Sequence, residues 1–263
     1  MIDAHAHLTD RRYGNVSSVV DEYTSVGVKT VVDAGYDKPS SEGAQENANR
    51  FDSVFFTCGY HPSEAGKDND LSIFNRMLSD KKCLAVGEIG LDYHYEGYCA
   101  AEQKKLFLRQ MEIACDAHLP IVVHSRDASK DTLDMLTENK RLIKNGFLMH
   151  CYSESAEQAK RYADLGGYFS FGGVITFKNA KKDDIIRSIP CDRLLTETDS
   201  PYLAPEPKRG SLNSPALITH VYEKMSQILG KEVEELKRIV RENFLMLFGK
   251  NGYFDKKMFG GRR

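Results

Sequence analysis

Eight short runs rich in β-branched and aromatic residues recur along this chain, and stretches with helical periodicity separate them. The runs cover residues 1–8, 29–35, 53–62, 83–92, 119–126, 146–153, 167–175 and 193–202. Between the fourth and fifth lies CAAEQKKLFLRQMEIACDAH, in which Leu106, Gln110, Ile113 and Ala117 keep the three-to-four spacing of one helix face. Two more helical stretches, 214–229 and 231–248, follow the last run. Alternation of this kind predicts an α/β fold, a parallel sheet with helices outside it. Eight units in 263 residues is the size of a (β/α)8 TIM barrel, expected here as a single domain over residues 1–263. The rival, an open doubly wound sheet, more often carries a glycine-rich loop after its first strand. HAHLTDRRYG holds none.

In a barrel, functional groups gather at the C-terminal ends of the strands. His5 and His7 end the first run, two residues apart and so on one face of a strand. Glu88 lies in the fourth run, His124 in the fifth, His150 in the sixth and Asp199 in the eighth. Four imidazoles and two carboxylates exceed the three protein ligands of one catalytic zinc. They suit two divalent ions sharing a carboxylate. Glu88, on the strand between the two histidine groups, is the expected bridge, with His5, His7 and Asp199 on one ion and His124 and His150 on the other. Imidazole-rich sets favour zinc or manganese, and magnesium prefers more oxygen, so the metal stays open among the three.

Net charge narrows the partners. With 36 Lys and Arg against 38 Asp and Glu, the net charge is −2, which argues against a tight sequence-independent nucleic-acid binder. An enzyme that holds nucleic acid briefly in a local basic cleft remains compatible. The basic end DKKMFGGRR is expected to be a solvated tail. No run approaches the length of a membrane span, and Asp3, His5 and His7 stand where a signal peptide needs an apolar core. The expected location is the cytoplasm, with the six scattered cysteines as reduced, small core residues. Composition leaves the oligomeric state open, a monomer being the simplest case.

The stretches DAHAHL, GYHPSEA, VGEIGLDYHYE, VVHSRDA, HCYS, TETDSPYLAPEPKRGSLNSP and RENFLMLFG occur in this order over essentially the whole chain. In them the sequence resembles the TatD-like metal-dependent deoxyribonucleases of the amidohydrolase-like barrel group. The resemblance carries that family's metal ligands onto His5, His7, Glu88, His124, His150 and Asp199, the set that the strand argument reaches. It implies DNA as substrate, trimmed at single-stranded ends; in the two-ion scheme Asp199 is the expected proton acceptor. Three positions depart from the family's pattern: Glu154 where glycine is usual, Cys99 where proline is common, and Ser214 where an acid or amide is common. Glu154 is expected to add negative charge near the cleft.

His61 of GYHP matches a family position and is expected to hydrogen-bond a substrate phosphate. Arg126, two residues after His124, suits bidentate phosphate contact, and an ion pair with Asp127 is the competing arrangement. Lys208 and Arg209 lie in a Pro/Gly-rich loop over the barrel mouth, where substrate contacts are frequent. Glu197, Asp92 and Asp3 read as supporting or core polar groups, and His94, His118 and His220 as structural. Two other activities fit the same scaffold. One is a binuclear amidohydrolase or lactonase, disfavoured because Glu88 stands where many of those enzymes carry a carboxylated lysine. The other is hydrolysis of an ester on tRNA.

Overall fold

The β-branched runs form a sheet whose strands follow one another in chain order, as seen in a computed structural model in which residues 1–249 are described. The strands are β1 (Ile2–Ala6), β2 (Thr30–Ala34), β3 (Val54–Cys58), β4 (Cys83–Asp92), β5 (Ile121–Arg126), β6 (Phe147–Met149), β7 (Gly167–Phe171) and β8 (Leu194–Thr196). All seven neighbouring pairs are parallel. Beyond β8 the Asp199 N–H donates to the His5 carbonyl at 2.9 Å and the His7 N–H to the Ser200 carbonyl at 2.7 Å. These bonds draw the last strand end against the first in a nearly closed barrel. Helices α1 (Val16–Ser25), α2 (Lys38–Arg50), α3 (Phe74–Leu78), α4 (Ala100–Asp116), α5 (Ser129–Glu138), α6 (Ala156–Asp164), α7 (Asp183–Ser188) and α8 (Ile218–Leu229) alternate with the strands, and α9 (Val233–Phe248) follows. Strands buried on both faces explain the near-continuous apolar runs of the sequence. No helix among the described residues is long and apolar enough to cross a membrane.

β4 is twice the length of most of its neighbours and positions much of the site. Its pairing with β5 is irregular between Val86 and Ile89, where Glu88 sits, and then runs from Ile89↔Val123 through Gly90↔His124 to Asp92↔Arg126. The resumed pairing needs glycine. Gly90 has φ +145°, and a Cβ there would fall 2.0 Å from the His124 carbonyl oxygen.

Several expectations shift. β6 and β8 are three residues each, so His150 directly follows its strand and Asp199 lies in the loop beyond β8. There Asp199 takes φ 51°, a left-handed conformation that Asp tolerates better than most residues. The 214–229 stretch opens with a 3-10 turn at Pro215–Leu217 before α8 begins. Helix α4 buries Gln103, Leu106, Phe107, Gln110, Met111 and Ala114, a face rotated from the expected one, with Ile113 only half-buried. The cysteines are not uniformly core. Cys58 and Cys83 are buried, Cys99 is exposed at the start of α4, and Cys115, Cys151 and Cys191 are half-buried. The segment DKKMFGGRR lies outside the described residues.

Candidate metal centre

The strand ends open into a cleft of about 530 Å³ lined by His7, His61, Glu88, Asp92, His124, Arg126, His150 and Asp199, with Tyr36, Tyr95 and Tyr202 among others at its walls. Glu88 stands at the centre and turns one oxygen to each side. Oε2 lies 3.3 Å from His5 Nε2 and 3.7 Å from His7 Nε2. Oε1 lies 2.7 Å from His124 Nδ1 and 2.9 Å from His150 Nε2. Asp199 Oδ1 completes the first side, 3.3 Å from His7 Nε2 and 3.9 Å from His5 Nε2. The His5 and His150 rings stack at 4.1 Å, joining the two sides.

The far nitrogen of each ring shows which nitrogen has a lone pair to give. His7 Nδ1 lies 3.1 Å from the Ala34 carbonyl, an acceptor only, so Nδ1 keeps its proton and Nε2 is the nitrogen that faces the carboxylates and can give its lone pair to an ion. His124 Nε2 donates to Asp92 Oδ2 at 3.1 Å, which leaves Nδ1 for the centre. Behind His150, Nδ1 faces Glu197 Oε1 at 3.9 Å, and Ser170 donates to the other Glu197 oxygen. Neither nitrogen of buried His5 has a hydrogen-bond partner. Buried polar atoms normally find one, and a cation between His5 Nε2 and the two carboxylates supplies it. The donor set fits the expected metals: His5, His7 and Asp199 on one side, His124 and His150 on the other, and one Glu88 oxygen for each.

Electrostatics agree with that fit. Burial alone would raise the Glu88 carboxyl, but His150, His124 and His5 around it hold it well below the usual range. Asp199, similarly buried, is held low by His7 above all. Burial pushes His5 down to about 4, with His150 adding to the effect. At His7 burial acts downward too, yet Asp199 and Glu88 outweigh it and lift the ring to about 9. His124 reaches about 9 in the same way, through Asp92 and Glu88.

A third cluster, His61, Asp92 and His124, brings potential donors within reach of one another, but its chemistry suits an anion instead. His61 Nδ1 accepts the Ser63 N–H at 3.1 Å, so the neutral ring carries its proton on Nε2. That N–H faces the cleft, 3.8 Å from Glu88 Oε1. His124 Nε2 is committed to Asp92, as described. Neither nitrogen offers a lone pair to a cation.

The other expected residues divide. Arg126 lines the cleft and lies over the Tyr95 ring at 5.3 Å, while Asp127 pairs with His94 at 2.8 Å. Lys208 and Arg209 are exposed in the loop after β8 and are not among the residues lining the cleft; the Arg209 guanidinium covers Phe177 at 4.3 Å. Glu154 accepts from the Ser125 and Ser129 hydroxyls at 2.7 and 2.8 Å. Its charge is tied to these hydroxyls, and it is absent from the cleft lining. Ser214 donates to Glu22 instead of facing the site.

Of the residues that hold the loops, sequence reasoning singled out Asp3 as a supporting polar group and missed Gln103, Gln110 and Asn213 in that role. Gln110 accepts from the Tyr60 N–H at 2.7 Å and donates to the Tyr60 carbonyl at 2.9 Å, fixing the backbone beside His61. Gln103 makes the same pair of bonds with Asp92. Asn213 donates to the Thr198 and Tyr202 carbonyls, and Asp3 accepts from the His5 and Thr198 N–H groups, so that Asp199 is bracketed. Two glutamines seven apart on the apolar side of a helix were the available signal.

A barrel with such a donor set at its strand ends is built as a metal-dependent hydrolase, and the chain's relatives are named as such. The Bacillus subtilis (strain 168) metal-dependent hydrolase YabD is 36% identical over 252 residues, covering 94% of this chain and 98% of its own. The Escherichia coli (strain K12) metal-dependent hydrolase YcfH is 37% identical over 253 residues, covering 94% and 95%. The solved structure of YJJV, a TatD homologue from Escherichia coli K12, superposes with a TM-score of 0.86 at 24% identity, over 95% of this chain and 98% of that one. Residues 2–249 match the family model described as TatD related DNase. The chain belongs to the TatD family.

Proposed function

We propose that this hydrolase is a deoxyribonuclease that cleaves phosphodiester bonds at DNA ends, with two divalent ions held as described. Ions held by these donors would supply Lewis acidity toward the phosphoryl group and the attacking water. Asp199 accepts the proton of that water and keeps it in line with phosphorus. The new bond joins the water oxygen to phosphorus, the bond to the departing sugar oxygen breaks, and that oxygen takes a proton from solvent. The His61 Nε2–H and the Arg126 guanidinium stabilise the charge that gathers on the phosphoryl oxygens. Lys208 and Arg209 act further out, on the strand beyond the cleft.

The observation that carries this reading is the orientation of His61. A ring fixed as an N–H donor beside Glu88, on a rim that also carries Arg126, is a receptor for an anionic oxygen. Charge supports it too. Glu88, Asp199 and Asp92 are all held ionised. Two divalent ions held among these carboxylates would bring four positive charges to the cleft, which favours an anionic ligand. The test is an activity panel with Mg²⁺, Mn²⁺ or Zn²⁺ on single-stranded DNA, duplex DNA, RNA, an aminoacyl ester of tRNA and a lactone. Release of nucleotides from DNA ends is expected. Turnover of the lactone or the tRNA ester with no cleavage of DNA overturns the reading.

A further inference from the structure

Among the described residues seven large hydrophobic side chains are exposed, and three of them, Tyr95, Tyr202 and Leu203, line the same cleft. Tyr95 is 65% exposed and Tyr202 46%, whereas Tyr23, Tyr162 and Tyr222 are wholly buried. A clustered apolar exposure around a polar centre marks a surface that meets a ligand. Each of the two rings also has a guanidinium against it. Arg126 lies over Tyr95 with its carbon 5.3 Å from the centroid and donates to the Tyr95 hydroxyl at 3.3 Å. Arg12 lies over Tyr202 at 4.4 Å and is itself fixed by a two-point ion pair with Asp10. Such cation–ring contacts hold the rings in place.

Tyr95 follows β4 and Tyr202 follows β8. In an eight-stranded barrel, strands four apart stand on opposite sides of the axis. The two tyrosine–arginine pairs therefore face each other across the donor set. An aromatic face with an adjacent fixed cation is the element from which single-strand binding sites are made, the ring taking a base and the cation a phosphate.

We propose that Tyr95–Arg126 and Tyr202–Arg12 are two stacking platforms, one for each nucleobase flanking the scissile phosphodiester. The inference rests on the phosphodiesterase reading and adds to it the residues that seat the two bases. Consecutive bases in a duplex lie about 3.4 Å apart with their faces covered by one another. Bases seated on opposite walls of the cleft must first be separated, which a duplex resists and a single strand permits. Beside Tyr95 the cleft adjoins a second pocket of about 350 Å³, bounded by Ser63, Tyr98 and Gln103, which gives a base stacked there room beyond the ring.

The test uses the full chain loaded with Mn²⁺ and short oligothymidylates carrying one 2-aminopurine, in either of the two residues at the terminal linkage. Stacking on tyrosine quenches this fluorophore, so binding is read before cleavage. Quenching is expected at both positions in the wild type. Tyr95→Ala should abolish it at one position and Tyr202→Ala at the other, with KM rising about tenfold in each variant and kcat changing far less. Tyr95→Phe and Tyr202→Phe, which keep the rings, should retain both quenching and KM. Cleavage of the oligonucleotide with no quenching, or with quenching and KM indifferent to both alanine variants, overturns the platforms and leaves the phosphodiesterase standing. Failure of the wild type to cleave either the oligonucleotide or methyl p-nitrophenyl phosphate with Mg²⁺, Mn²⁺ or Zn²⁺ overturns the phosphodiesterase and the platforms together.

Discussion

His124 Nδ1 and His150 Nε2 stand 3.3 Å apart, and both point at the same oxygen of Glu88. Without an ion between them, protons must reconcile these nitrogens with their carboxylate. Loading metal must therefore expel protons. His7 and His124, lifted to about 9, hold theirs at pH 7, whereas His5, pushed down to about 4, has none to release. Metal affinity should rise with pH up to about 9, by up to tenfold per unit for each proton displaced. Calorimetry at pH 7 in buffers of different ionisation enthalpy should register about two protons released from His7 and His124, with His150, also raised by Glu88, adding to them. Binding independent of pH between 6 and 9 would contradict the assignment.

The same two rings give the metal-free chain a pH-dependent stability. Their pKa values lie above the ordinary 6.5, so the contribution is fully present below 6.5 and is lost as pH rises through about 9. Metal-free protein should show a falling Tm across that window. Protein saturated with metal should show a flatter profile.

Asp199 and Glu88 should fail differently when replaced. Asp199→Asn keeps a ligating oxygen and removes the proton acceptor, so turnover should fall about 10²–10⁴-fold with both ions retained. Glu88→Ala removes a donor from each side, so metal content and activity should fall together. Elemental analysis beside single-turnover rates separates the two cases, and near-normal turnover by metal-loaded Asp199→Asn would move the proton elsewhere.

Gln110→Leu should strip the Tyr60 N–H and carbonyl of their partner inside the core. Each buried group left unpaired costs about 1–3 kcal/mol, so a clear drop in the urea midpoint is expected. The loss of activity should fall more on KM than on kcat, because the displaced backbone carries His61. An unchanged midpoint would mean that water replaces the amide at no cost.

The barrel was legible because alternation of strand and helix is written in side-chain periodicity, which tertiary packing reinforces. The meeting of His5, His7, Glu88, His124 and His150 follows from that alone, since converging strands bring their ends together. Asp199 was assigned to a strand end and instead sits on a left-handed turn after three residues of β8. TETDSP reads as extended, and groups distant in sequence hold its bend: Asn213, Asp3 and the β1 backbone at His5 and His7. Arg126 was placed toward the cleft, but its stacking on Tyr95 was not visible, because cation–ring contacts join loops through no periodic spacing. Lys208 and Arg209 were expected over the mouth from their place in a Pro/Gly-rich loop, and composition alone does not say which way the segment between β8 and Pro215 folds over a rim.

His7 and His124 are oriented from behind by different kinds of group, the Ala34 carbonyl for one and the Asp92 carboxylate for the other. Every residue that occupies position 34 brings a carbonyl, so no codon change can delete the first of these partners. Position 92 can be rewritten by a single one. Inheritance can thus retune one half of the centre while the other is locked into the main chain. Across descendants of this protein, divergence in metal preference should collect on the His124 side, and the His5–His7 side should stay as it is.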